Sequence, residues 1–320
     1  MEGSGLITLD AAAVRAGLDY PGCIGMVREA MKTLSAGVTL QLPRSIIDLG
    51  GGRLFGQMPG ALAGDDLFGA KLVSVFPEPE RPSIRRHRGL VVLFDPVDGR
   101  PVCVADAEEI THIRTAAATA VATDALARRD VRNLLLIGTG SQTRTHLKAL
   151  PLVRDFQHIL IWGRDTEKAA GLAADAARQG LPVSAVTDLP SAVADAEVIC
   201  TLTGASQPVL LGEWLRPGVH VNLVGSSVPG PVEVDGELVR RCRYIVDSRA
   251  NALVAAAEFL AARQAGLVDD QHIVAEIGEV LLGRVTGRRD DTDITAYKSL
   301  GHAVQDLAAA AHLYRRSLER

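Results

Sequence analysis

The chain has 320 residues, room for two domains with a substantial buried core, and its 47% hydrophobic and 22% charged content is that of an ordinary globular protein. A formal net charge of −4 gives no electrostatic ground for a nucleic acid or an anionic membrane as partner, while leaving room for a local basic pocket that takes an acidic metabolite. No apolar run approaches the ~20 residues needed to span a bilayer, so no membrane partner is expected.

Taken in chain order, Tyr20 to Leu34 is predicted as a helix and Gln41 to Ile47 as a strand, followed by the turn Gly50-Gly51-Gly52. Ala70 to Phe76 alternates as a strand ended by Pro77 and Pro79, and Leu90 to Phe94 is a short apolar strand. Asp98-Gly99 is a two-residue hairpin signal leading into a strand from Pro101 to Ala105. Strands joined by tight turns predict an antiparallel domain here. The pattern changes at Thr111. From there to Arg129 the chain is Ala-rich without Gly or Pro, which favours a helix able to lie close to other backbones.

A regular alternation follows. Strands are predicted at Asn133 to Ile137, His158 to Trp162, Val183 to Val186, Val198 to Leu202, His220 to Val224 and Tyr244 to Val246. Helices are predicted at Ser141 to Leu150, Glu167 to Gln179 and Leu189 to Ala194. Strands separated by helices imply a parallel sheet with right-handed crossovers. The stretch Ile294 to Ser317 is predicted as an amphipathic helix returning to the first domain.

The most informative local feature is Leu134-Leu135-Leu136-Ile137-Gly138-Thr139-Gly140-Ser141-Gln142, a buried strand running into glycines and then a helix. Gly138 permits the tight turn, Gly140 lets backbone amides approach a pyrophosphate, and the helix start offers unpaired N–H groups. The third glycine of G-x-G-x-x-G is replaced by Thr143, so the pattern is read through its strand–turn–helix context. Roughly 20 residues on, where an NAD-binding unit places an acid on the ribose, stands Gly163-Arg164-Asp165. Arg164 offers a cation to a 2′-phosphate, which favours NADP(H) over NAD(H); the alternative is a solvated Arg164 with Asp165 on the ribose.

Arg44, Lys71 and Arg114 lie in otherwise apolar or small-residue segments. A cation so placed needs an anion, and a substrate carboxylate would supply one, although an internal carboxylate such as Asp48, Asp95 or Asp106 would serve equally. Ser226-Ser227 follows the strand ending at Gly225, at the end where ligands bind in open α/β sheets, or forms only a turn. The four cysteines show no C-x-x-C spacing and the eight histidines no ligand pair, so neither a metal nor a disulfide is expected. The opening Met1-Glu2-Gly3-Ser4-Gly5 lacks the character of a signal peptide, and a cytoplasmic location is expected.

Leu42-Pro43-Arg44, Ala70-Lys71-Leu72-Val73, Thr111-His112-Ile113-Arg114-Thr115-Ala116-Ala117, Gly138-Thr139-Gly140-Ser141-Gln142, Asn222-Leu223-Val224-Gly225-Ser226-Ser227 and Tyr297-Lys298-Ser299-Leu300-Gly301 with Asp306-Leu307-Ala308 resemble the ornithine cyclodeaminase/mu-crystallin family. The resemblance implies an α/β fold: a Rossmann-type doubly wound parallel sheet, over 114–297, plus a discontinuous α+β domain for substrate binding and dimerisation, over 1–113 with 298–320. It implies a homodimer, a substrate carboxylate held by Arg44, Lys71 and Arg114, and catalysis by Lys71, Arg114 and Ser227. The cofactor contacts then fall at Thr115, Gly138, Thr139, Gly140, Ser141, Gln142, Arg164, Thr201, Leu202, Gly225 and Ser226. Where cyclodeaminases of the family carry an aspartate, this chain has Ser227, similar to the ketimine-reductase and mu-crystallin branch. A hydroxyl cannot act as a carboxylate base near neutral pH. The expected activity is therefore NAD(P)H-dependent reduction of a cyclic imino acid. An alanine-type amino-acid dehydrogenase, an ornithine cyclodeaminase and a non-catalytic ligand-binding protein are the alternatives.

Overall fold

Asp10 and Asp19 each precede a helix and cap it, their carboxylates accepting from Ala13 N at 2.8 Å and Gly22 N at 2.7 Å. In the computed structural model, which describes residues 5–64, 66–78 and 81–319 and only the backbone of 78 and 81–86, these caps follow strand β1 (Ile7–Leu9) and start α1 (Ala11–Gly17) and α2 (Tyr20–Ser35). The chain then runs through β2 (Leu40–Gln41), β3 (Ser45–Asp48), β4 (Leu54–Ala61), β5 (Phe68–Glu78), β6 (Arg81–Phe94) and β7 (Pro101–Asp106) into the long helix α3 (Ala107–Leu126). The strands form one sheet in the order β1-β7-β6-β5-β4-β2, with β3 also on β4; every pairing is antiparallel except β1 with β7.

After α3 comes the alternation β8 (Asn133–Ile137), α4 (Ser141–Ala149), β9 (His158–Trp162), α5 (Thr166–Ala177), β10 (Val183–Val186), α6 (Leu189–Asp195) and β11 (Val198–Thr201). It continues through β12 (His220–Leu223), α7 (Gly236–Arg241), β13 (Arg243–Val246), α8 (Arg249–Ala255), α9 (Ala257–Gln264), β14 (Ile273–Glu276), α10 (Ile277–Leu281) and β15 (Thr295–Lys298). These strands form a wholly parallel sheet, order β10-β9-β8-β11-β12-β15-β13-β14. Both faces are covered, so β8 and β11 read as nearly continuous apolar runs, while in β12 the alternating His220 and Asn222 are buried as well. The last helix, α11 (Ala303–Leu318), belongs with the first sheet. It lies so close to β4 that a side chain at Gly60 would meet Leu307 Cδ1 at 3.2 Å.

Two compact units result, Met1–Arg114 with His302–Arg320, and Thr115–Gly301. The α/β class with a doubly wound parallel sheet is as the sequence implied. Several elements differ. The strand expected from Gln41 to Ile47 is broken at 42–44, because Pro43 offers no N–H and restricts Leu42 before it. β6 begins at Arg81, well before Leu90: its polar start hides a strand that is paired along β5. β5 runs through Pro77, which is tolerated because β4 pairs no further along it than Val75; Pro79 and Met1 to Ser4 lie outside the described residues. The hairpin at Asp98-Gly99 is a longer loop, 95–100, with the Asp95 carboxylate accepting from Val97 N at 2.8 Å. Helix α3 starts four residues early because Asp106 caps it through Glu109 N at 2.7 Å. The helix expected over Ile294 to Ser317 is a buried strand, β15, then a turn at Gly301 with φ +80°, then α11.

Candidate active site

Lys71 sits mid-strand on β5, opposite Met58 of β4 and Val91 of β6, with only 5% of its surface exposed. Thr111 and Arg114 are three apart on α3 and so share a face. Asp306 is in the first turn of α11 and wholly buried. These elements of the first unit converge. The Lys71 Nζ donates to Asp306 Oδ1 at 2.9 Å and to Thr111 Oγ1 at 2.5 Å, and Arg114 Nε donates to the same Asp306 oxygen at 3.1 Å. Arg114 also donates through Nη1 to Gln305 Oε1 at 2.9 Å.

Two buried cations therefore face one carboxylate, and the cluster keeps an excess of positive charge before Arg44 is counted. Arg44 lies in the Pro43-interrupted segment, half-buried, and its charge is felt at Lys71. That segment is tied to the start of α11 through Gln41, whose Nε2 lies 2.6 Å from His302 Nδ1 and whose Oε1 accepts from Val304 N at 3.2 Å. Burial lowers the Lys71 ammonium to about 8, Asp306 opposes that, and Arg114 and Arg44 add to it. Burial alone would raise the Asp306 carboxyl, yet Arg114 and Lys71 hold it below the ordinary range. Asp48, Asp95 and Asp106 are engaged in turns and a helix cap, and the internal carboxylate that Lys71 and Arg114 meet is Asp306 instead. Asp306 was missed as a partner; its signal was a lone acid in the Ala-rich run of α11.

In the second unit, the chain leaves β8 for β9 and β10 on one side and returns to β11 and β12 on the other. The switch point of the sheet thus lies between β8 and β11. The glycine turn is there. Gly138 has φ +134°, and a Cβ on it would stand 2.6 Å from the Leu202 carbonyl oxygen. Gly140, the N-cap of α4, has nothing within 4 Å of where a Cβ would be, and no side chain caps the helix. The helix start at Ser141 and Gln142 therefore has no side-chain cap and open space beside Gly140, with the helix dipole behind it, a cradle that fits a dinucleotide pyrophosphate. Thr143, in place of the third glycine, is buried and donates to the Gly138 carbonyl at 2.9 Å, bracing the turn from within. His146 anchors α4 to α3 through Thr119 Oγ1 at 3.0 Å, one helical turn beyond the buried Thr115.

Gly163 is fixed by packing, since a Cβ there would meet the Thr139 methyl at 2.5 Å. Arg164 is exposed at the end of β9. Asp165 caps α5, accepting from Lys168 N at 3.0 Å, and its side chain is exposed beside Arg164. Beyond β11 and β12, one residue organises both loops and was not singled out from the sequence. Glu233, wholly buried, accepts from Thr201 Oγ1 at 2.8 Å, Thr203 N at 2.7 Å, Thr203 Oγ1 at 2.8 Å and Gly225 N at 2.7 Å. Burial raises its carboxyl against the lowering by Lys298 and those donors. Ser226 is turned inward, donating to the Pro231 carbonyl at 2.5 Å, while Ser227 is half-buried.

A parallel sheet with a glycine turn at its switch point defines a Rossmann-type dinucleotide-binding fold. A model of the ornithine cyclodeaminase/mu-crystallin family matches residues 7–320, and the chain belongs to that family. Ketimine reductase mu-crystallin of Mus musculus is 36% identical over 279 residues, 87% of this chain and 85% of its own. A Delta(1)-pyrroline-2-carboxylate reductase of Bacillus cereus is 34% identical over 265 residues, 82% of this chain and 81% of its own. Among solved structures, the Delta(1)-pyrroline-2-carboxylate reductase of Thermococcus litoralis, in complex with NADH and L-proline, matches with a TM-score of 0.94 at 29% identity, over 98% of each chain.

Proposed function

We propose that the protein is an oxidoreductase acting on C=N bonds, which reduces a cyclic ketimine carboxylate, Δ1-pyrroline-2-carboxylate or Δ1-piperideine-2-carboxylate, to L-proline or L-pipecolate. The observation that carries this reading is the buried pair of cations, Lys71 and Arg114, on a single carboxylate. Such a cluster has a positive charge to offer a small acid, and it belongs to a chain of this family with an open glycine turn.

Ser141, Gln142, Gly140 and Thr139 would hold the pyrophosphate of a nicotinamide dinucleotide, with Thr201, Leu202, Gly225, Ser226 and Thr115 completing the cofactor set. The reduced cofactor bound there would supply a hydride. Arg164, free of the helix cap that engages Asp165, favours the 2′-phosphate of NADP(H). The substrate carboxylate is gripped by Arg114 and Arg44, with Lys71 adding charge, and holding the imine in place supplies most of the rate. Ser227 offers a neutral hydroxyl to the imine nitrogen; without a carboxylate there, reduction is favoured over ornithine cyclisation.

The protein acts as a homodimer through the first unit. Leu40, Ile47, Phe55, Phe76 and Leu90 are exposed on one face of its sheet, and a second copy of the same face is their cover. No helix among the described residues is long and apolar enough to cross a membrane. The four cysteines are free and buried, which supports a reducing, cytoplasmic setting. The decisive experiment is steady-state reduction of both cyclic imines with NADPH and NADH, alongside 2-oxo acids with ammonia and ornithine alone. Turnover of the imines, lowered by orders of magnitude in Arg114→Ala, is expected. Turnover confined to 2-oxo acids with ammonia, or to ornithine, overturns the assignment.

A further inference from the structure

Lys71 and Arg114 come from different elements, β5 and α3, and nothing in either element alone brings them together. What joins them is a third. Asp306 of α11 places one oxygen, Oδ1, within 2.9 Å of Lys71 Nζ and 3.1 Å of Arg114 Nε, with Thr111 Oγ1 at 3.5 Å. Its other oxygen, Oδ2, is equally buried and accepts no hydrogen bond among the described residues. The two short contacts of the carboxylate are thus both with cations, the Thr111 hydroxyl being the more distant. Gln305, the preceding residue of α11, takes Arg114 Nη1, so the guanidinium is held at two nitrogens by two neighbouring side chains of a single helix.

We propose that Asp306 is the positioning residue of this cluster: it fixes the spacing of Lys71 and Arg114 and supplies the negative charge that keeps the Lys71 amine an ammonium, able to attract a carboxylate substrate. The charged groups felt at Lys71 are Asp306 of α11, Arg114 of α3 and Arg44 from the segment between β2 and β3. Two of the three are cations and push Lys71 toward the neutral amine, as burial does; Asp306 alone opposes them. Cys23 of α2, which also feels Arg114 and Asp306, is raised by burial to about 12 and stays a neutral thiol. With Asp306 in place Lys71 titrates at about 8. Without it, burial and two like charges remain, and the amine is neutral at physiological pH.

The relevance of Lys71 to substrate rests on the proposed reductase activity, whereas its protonation can be read without turnover. The chain has five lysines, so lysine labelled with 13C at Cε gives few resonances, and Lys71→Arg identifies the one wanted. In the full-length protein, Asp306→Asn is expected to lower the Lys71 midpoint by one pH unit or more. Arg114→Gln, which removes a like charge and leaves Asp306 to Lys71, is expected to raise it. If Asp306→Asn does not fold, as judged by thermal melting, the opposite shift in Arg114→Gln carries the test. An unchanged midpoint in either folded variant overturns the proposal. In activity assays with the cyclic imines, Asp306→Asn then loses at least tenfold in kcat/KM at pH 8, chiefly through KM, and recovers toward pH 6, with Asp306→Glu partly restored. Should the midpoints move while the wild type reduces no cyclic imine, the reductase assignment falls and the role of Asp306 toward Lys71 stands.

Discussion

Glu233 accepts the Gly225 amide at 2.7 Å, and through this bond a residue distant from the glycine turn governs the loop after β12. The same carboxylate takes the Thr203 amide after β11, so two loops that follow neighbouring strands share one buried anchor. Glu233→Gln keeps the shape but turns an NH2 toward groups that donate. Leaving a buried donor unsatisfied costs about 1–3 kcal/mol. A roughly tenfold or greater weakening of NAD(P)H binding is predicted, since about 1.4 kcal/mol is tenfold. Titration of nicotinamide fluorescence measures it, and an affinity within twofold of wild type would show that the two loops do not depend on this carboxylate.

Arg164 is exposed and stands beside Asp165, whose side chain caps α5. Removing a charged hydrogen-bond donor to a phosphate costs about 1.5–3 kcal/mol, so Arg164→Ala is predicted to reduce kcat/KM with NADPH by about tenfold or more and to leave that with NADH nearly unchanged. Equal loss with both cofactors would mean that Arg164 does not read the 2′-phosphate.

The second unit was legible because its signals are local. An apolar run such as Leu134 to Ile137, ended by Gly138 and followed by a helix, determines strand, turn and helix within a dozen residues. The first unit was less so. β6 carries a basic start that looks like a loop, and it is a strand only because β5 pairs with it. In the second unit the strand β15 was missed: it is only four residues long, and its parallel neighbours β12 and β13 decide its conformation. Lys71 and Arg114 stood out as cations among apolar residues, but Asp306, nearly two hundred positions from Arg114 in the chain, could not be matched to them by spacing. Glu233 gave no sign at all, since a carboxylate followed by Val234 and the α7 cap Asp235 reads as an ordinary surface turn.

Two histidines are buried as neutral rings in the second unit. His146 bridges Gln142 and Thr119, and His220 lies between Thr295 Oγ1 at 2.9 Å and Asn222 Oδ1 at 3.2 Å. Burial lowers them to about 4 and about 3 respectively. An unfolded histidine titrates near 6.5, so between about pH 6.5 and pH 4 the unfolded chain binds two protons that the folded one refuses. The stability present above pH 6.5 is therefore lost as pH falls, by about 1.4 kcal/mol per unit for each ring. Urea unfolding across pH 4.5–7.5 is predicted to show this slope, and His220→Gln to reduce it by one proton's share. A slope identical in wild type and variant would indicate that His220 charges in the folded state.

Lys298 and Glu258 form an ion pair sealed from water, both side chains 0% exposed, with Nζ 2.9 Å from Oε2 and 3.2 Å from Oε1. Lys298 ends β15, in register with Leu223 of β12 and Val246 of β13, so its charge lies at the same end of the sheet as the Gly225 loop, and it lowers the Glu233 carboxyl. Removing one partner leaves a buried charge without compensation, which costs about 3–5 kcal/mol, whereas replacing both by apolar groups of similar volume is often close to neutral. Glu258→Gln is thus predicted to lower Tm by about 10 °C, taking about 2–4 °C per kcal/mol for a chain of this size. Lys298→Met combined with Glu258→Leu is predicted to recover much of that loss. Yet the double variant removes the cation near Glu233 that favours its ionised form, so Glu233 then takes up a proton at higher pH. Cofactor binding in the double variant is accordingly predicted to weaken as pH falls, starting at a higher pH than in the wild type. Calorimetric melting and NAD(P)H titration on the same preparations separate the two effects: a double variant as unstable as Glu258→Gln would contradict the first, and a binding profile superimposable on that of the wild type would contradict the second.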